Sequence, residues 1–92
     1  LEALKNLFKT RYSLARSRDI HMACSESPIN NGYILELREY VGTECLRVTK
    51  PVGYVRDVKS QVGVMWLVFD ELMAALTAQY KNLKRRSTRD VR

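Results

Sequence analysis

An apolar stripe in the last third of the chain sets the strongest limit on what it can fold into. Phe69, Leu72, Met73, Leu76, Tyr80 and Leu83 recur at intervals of three and four residues, the repeat that places side chains on one side of an α-helix. Such a helix must bury its apolar side against a second layer, so the rest of the chain has to supply one. Asp70 and Glu71 stand near the expected start of this helix, and Lys81, Lys84, Arg85 and Arg86 near its end. That is the sign order the helix dipole favours. Ser87 to Arg92 has no periodicity and reads as loose.

The second layer reads as antiparallel sheet. From Arg18 to Cys24 the chain alternates, with Ile20, Met22 and Cys24 on one side and Asp19, His21 and Ala23 on the other. Ser25 to Pro28 and Asn30-Asn31-Gly32 are turn formers, and Asn-Gly favours a tight reversal. Tyr33 to Tyr40 is the clearest strand: Tyr33, Leu35 and Leu37 share one face, and Ile34, Glu36, Arg38 and Tyr40 the other. After a turn at Gly42-Thr43, Cys45 to Thr49 alternates again, with Leu46 and Val48 inward and Arg47 outward. Lys50-Pro51-Val52-Gly53 is expected to break the ladder or bend it at an edge, because proline donates no strand hydrogen bond. Tyr54 to Val58 and Val62 to Leu67 are rich in β-branched residues and read as strands or as one hairpin, with a bulge at Gly63. Upstream, Leu1, Leu4, Leu7, Phe8, Leu14 and Ala15 have helical spacing. The expected fold is α+β: a four-stranded antiparallel sheet, a C-terminal amphipathic helix packed on it, and an N-terminal helix in front. The domain expectation is a helix over 1–17, a ββββα unit over 18–84 and a basic flexible tail over 85–92.

Composition narrows the chemistry. At 92 residues, with 46% apolar and 28% charged, the chain suits one globular domain with a modest core. The net charge of +6 is unevenly placed. Residues 1–18 carry +4 and residues 81–92 carry +5, around a middle section of −3. The first residue is Leu1, so the chain reads as a piece of a longer protein. The longest uncharged apolar stretch, Val62 to Phe69, is too short for a bilayer, so no membrane span is expected. Cys24, Cys45 and His21 are the only Cys and His residues, fewer than the four ligands of a structural zinc site, so no metal and no cofactor is expected. Cys24 and Cys45 read as reduced thiols of an intracellular protein, nuclear or organellar locations included. His21 has no nucleophile or orienting partner at a recognisable spacing, so the chain reads as non-enzymatic.

Single-strand nucleic-acid binders combine cations with aromatic rings on which bases stack. The outward side of the middle strands supplies Arg38, Tyr40 and Arg47, and the next segment adds Lys50, Tyr54, Arg56 and Lys59. Lys84, Arg85 and Arg86 form a second basic cluster suited to phosphate contacts. Glu36, Glu39, Glu44 and Asp57 lie among the first group and oppose its field. Leu4, Leu7, Phe8, Leu76 and Tyr80 are the candidates for contact with a second copy or a protein partner.

The run from Tyr33 to Val48, with its acidic-Leu-basic strand, short turn and Leu46-Arg47-Val48 ending, resembles the PUR repeat. The expected order of four strands and a helix is also similar to the Whirly proteins and to the single-strand-binding transcriptional coactivator fold, and Ile34 to Tyr40 resembles the coactivator in sequence. The resemblance spans residues 18–84. It implies a curved sheet that binds single-stranded DNA or RNA, and a homodimer, because a lone repeat has to pair with another. The chain departs from the PUR pattern at the turn, where Glu44 stands in place of a basic residue. Two functions follow as expectations: a homodimeric single-stranded RNA- or DNA-binding module, or an assembly domain of the same fold that binds a protein partner through the N-terminal helix.

Overall fold

The structure, a computed structural model, describes residues 2–12, 17–29 and 31–90, with side chains described over 5–12, 17–29 and 31–86. The elements are α1 (Glu2–Arg11), β1 (Ile20–Ser27), β2 (Gly32–Val41), β3 (Glu44–Gly53) and α2 (Val58–Asp90). The three strands form one antiparallel sheet in the order β1-β2-β3. The fold is α+β as expected, but the sheet has three strands among the described residues, not four.

The expected fourth strand is replaced by a loop and the first turns of α2. Asp57 caps the helix: its carboxylate accepts from the Ser60 amide and the Ser60 hydroxyl, each at 2.9 Å. Gln61 then ties the preceding loop down. Its side-chain oxygen accepts from the Val55 amide at 2.6 Å, and its nitrogen donates to the Gly53 carbonyl at 3.2 Å. The β-branched residues from Val55 to Val64 favour a strand locally. Burial decides otherwise, because Gln61, Met65, Val68 and Leu72 are all buried and extend the apolar stripe upstream at helical spacing. Asp70 and Glu71 consequently lie in mid-helix, and the first turn holds no acidic residue. At its other end α2 runs through Asp90, so residues 85–90, read as a loose tail, continue the helix.

The reach of α2 also changes the membrane expectation. By length and composition alone, residues 58–86 are long and apolar enough to cross a bilayer. In the fold, one side of this helix is the inner wall of the core. Phe69, Leu72 and Leu76 pack there with Leu35, Leu37, Ile20, Val52 and Phe8, all at most 3% exposed.

The strands end where backbone geometry demands. Asn31 takes a left-handed φ of 48° before Gly32. A Cβ at Gly32 would stand 2.2 Å from the Val52 carbonyl oxygen, so only glycine fits there. Gly42, at φ 59°, opens the two-residue turn joining β2 to β3. β1 extends through Ser27, three residues into the expected turn, and β3 runs on through Lys50-Pro51-Val52-Gly53. Pro51 does not break the ladder, because β3 is an edge strand and Pro51 points its missing donor at the open side. The amide of Tyr40 donates to the Asp19 carbonyl, which directs even-numbered amides of β2 toward β1 and odd-numbered ones toward β3. In β3 the even-numbered residues therefore bond to β2, and Cys45, Arg47, Thr49 and Pro51 face outward along the edge.

α1 stops at Arg11, short of the expected Ala15; residues 13–16 lie outside the described set. It is held to α2 by an aromatic cluster, with ring centroids 5.3 Å apart for Phe8–Phe69 and 6.3 Å for Tyr12–Trp66. The Tyr12 hydroxyl donates to Asp70. Burial and this hydrogen bond raise the Tyr12 pKa.

Candidate functional site

With α2 on its inner face, the sheet leaves its outer face open. Three cationic or ionisable side chains cross it in one row. His21 stands directly opposite Arg38, and Arg38 directly opposite Arg47. Neighbouring strands are about 4.8 Å apart, so the row is about 10 Å long. Like charges placed directly opposite one another destabilise a sheet, and this row is a local cost that the fold partly offsets with Glu36.

Glu36 lies one side-chain step away, diagonal to Arg47. Arg38 Nε donates to its Oε2 at 2.5 Å and Arg47 Nε to its Oε1 at 2.6 Å. The Glu36 side chain is only 13% exposed, whereas Arg38 and Arg47 are 45% and 60% exposed. Burial alone would raise the Glu36 pKa, but the bonds from Arg47 and Arg38 outweigh it and hold the carboxyl below its ordinary value. One carboxylate thus orders two guanidinium groups and leaves their outer edges to solvent, with one positive charge in excess.

Aromatic surface adjoins the row. Tyr40 is exposed, and its ring meets His21 edge-on at 5.6 Å. His21 Nε2 lies 2.6 Å from Asp19 Oδ1. Asp19 itself takes a left-handed φ of 53°. His21, Ala23, Glu36, Arg38 and Tyr40 line a shallow concavity on this face. The arrangement can hold an anion against the guanidinium edges and a flat ring against Tyr40.

The expected binding residues do not all meet there. Arg38, Tyr40 and Arg47 share the outer face as the alternation requires. Lys50 sits on the inner-face parity and pairs with Glu71 of α2. Tyr54 and Arg56 lie in the β3–α2 loop and Lys59 in the first turn of α2, away from the row. Lys84, Arg85 and Arg86 are exposed near the far end of α2, and the Lys84 ammonium lies 5.4 Å from the Tyr80 ring centre. Among the expected partner contacts, Phe8 and Leu76 are 1% and 0% exposed. They are core residues, because α1 and α2 fold onto the same side of the sheet and bury each other. Tyr80 is half-buried beneath Arg18, Leu7 is exposed, and the side chain of Leu4 lies outside the described residues.

Sequence reasoning missed one buried ionic network. Glu39 continues the inward parity of Tyr33, Leu35 and Leu37 and is 0% exposed. Arg18 grips both its oxygens, at 2.8 and 2.7 Å, and donates to the Thr77 hydroxyl at 2.9 Å. The same guanidinium lies 4.4 Å from the Tyr80 ring centre. Glu39 therefore does not oppose the outer-face field. The parity was visible, but the partner 21 residues upstream was not. Cys24 is half-buried on the inner side of β1 and Cys45 is exposed on the outer side of β3, both free. Burial pushes the Cys24 thiol up. No group of three or more His, Cys, Asp or Glu able to hold a metal occurs among the described residues.

No family model matches the chain, and no curated protein and no solved structure matches it.

Proposed function

We propose that this chain is a non-catalytic module that binds single-stranded RNA or DNA across the outer face of its sheet. The observation that carries the reading is the His21–Arg38–Arg47 row, three ionisable groups set side by side with Tyr40 against them. A sheet gains nothing in stability from lining up such charges, whereas a phosphate backbone gains a preordered anion site and its bases gain a ring to stack on. The basic end of α2 adds affinity without sequence preference. The likeness of Tyr33 to Val48 to the PUR repeat supports the same reading.

Fluorescence anisotropy with labelled single strands tests it. Binding is expected at micromolar or lower concentration in low salt, weakening as salt rises. Arg47→Ala should reduce the slope of log affinity against log salt by about 0.7, the effect of one lost phosphate contact on a single strand. Tyr40→Ala should cost about 1–3 kcal/mol if a base stacks there. Absence of binding at low salt overturns the reading. It would leave the protein-partner alternative, for which Leu7 of α1 is an exposed contact among the described residues.

A further inference from the structure

We infer that the open edge of β3 pairs with the β3 edge of a second copy, antiparallel and centred on Arg47, to make one six-stranded sheet. The outward backbone groups of β3 belong to Cys45, Arg47 and Thr49, and the run ends at Pro51, which has no amide to offer. A two-fold pairing must match outward residues with outward residues. Centring it on Arg47 matches Cys45 with Thr49 of the second copy on both sides of the axis, using every outward donor before the proline. Centring it on Val48 or on Thr49 brings Pro51 against Cys45 or Arg47 and loses hydrogen bonds.

Side chains on the inner face agree with this register. Leu46 meets Val48 of the second copy, joining two half-buried apolar residues, and Glu44 meets Lys50, joining opposite charges. The flank of α2 turned toward β3 is marked by Glu71, which pairs with Lys50. Leu67 and Ala75 stand one turn either side of Glu71 on that flank, both exposed, and Leu67 is 65% exposed. The two-fold axis stands perpendicular to the sheet, so both copies of α2 lie on one side of it, with these flanks approaching each other. The opposite edge is less suited, because β1 is accompanied by α1.

The pairing itself does not depend on nucleic-acid binding, but its consequence rests on that reading. The row on each copy becomes one track, His21–Arg38–Arg47 followed by its mirror, about 24 Å long at the usual strand spacing. The two Arg47 residues at the axis repel each other until a polyanion lies across them, so single strands should favour the dimer.

Sedimentation velocity of the full chain, with and without a labelled oligonucleotide, reads the assembly. The expected result is a concentration-dependent dimer. Thr49→Pro removes an outward donor while sparing the bonds to β2, and should give a monomer with unchanged circular dichroism. Thr49→Cys should form a covalent dimer with native Cys45 under mild oxidation, while the same chain carrying Cys45→Ser should not. Residues 45 and 49 of one copy lie about 13 Å apart along the strand, too far to bridge within a chain. A wild-type chain that stays monomeric to about 1 mM with and without oligonucleotide overturns the proposal, as does a folded Thr49→Pro chain that still dimerises. A dimer that binds no single strand would refute the nucleic-acid reading and leave the pairing standing.

Discussion

At the scale of single residues, the two acidic side chains of β2 do opposite work. Glu39 faces inward, wholly buried, and its two oxygens are filled by Arg18. Removing one partner of such a pair leaves a charge without solvent or counterion. Glu39→Ala should therefore cost about 3–5 kcal/mol in urea unfolding. Replacing Arg18 by Met and Glu39 by Leu together should cost far less, because neither charge then remains. Glu36 faces outward and orders Arg38 and Arg47. Its pKa is lower folded than unfolded, so its contribution to stability is complete above the usual carboxylate range. That contribution is lost as the pH falls through the folded value. The stability gap between wild type and Glu36→Gln, measured at pH 7 and again near pH 3, should shrink at the lower pH. A gap that stays constant would mean that the two arginines do not hold the carboxylate in solution.

Elements were legible where period and burial agreed. β1, β2 and β3 follow the alternation of Ile20–Met22, Leu35–Leu37 and Leu46–Val48, and the turn at Gly42-Thr43 stands where glycine permits it. The start of α2 was not legible, because Val55, Val58, Val62 and Val64 carry strand propensity that only tertiary packing overrides. The deciding signals were polar: Asp57 as a cap and Gln61 reaching back to Val55 and Gly53. Gln61→Ala leaves a part-buried amide and a carbonyl without their side-chain partner and should destabilise the fold by about 1 kcal/mol in a thermal or urea melt. Hydrogen exchange at Val55 should rise with it. The candidate site was legible to the extent that alternation assigns faces, which places Arg38, Tyr40 and Arg47 together. Lys50 has the inward parity of Val48 and Val52, and that parity was the available sign that it belongs to the helix side.

Across the whole molecule, charge and length are separated. α2 has 33 residues, about 50 Å of helix, against about 33 Å for a ten-residue strand. Its basic end therefore carries charge beyond the core. Deleting residues 84–92 should leave the unfolding free energy nearly unchanged, since Leu76 is the last fully buried side chain of α2 among the described residues. It should lower single-strand affinity and flatten its salt dependence in anisotropy titrations. Unaltered salt dependence would assign the whole electrostatic contribution to the sheet. The ties between the first residues and α2 have a different consequence. Phe8 packs on Phe69, Tyr12 bonds Asp70 and Arg18 bonds Thr77, contacts spanning about sixty residues of chain. The strands pair with their immediate neighbours in sequence and can close early, while α1, though it touches β1, gains its aromatic contacts with Trp66 and Phe69 only once α2 exists. During synthesis α1 is made before α2, so Phe8 lacks its Phe69 partner until about sixty further residues have followed.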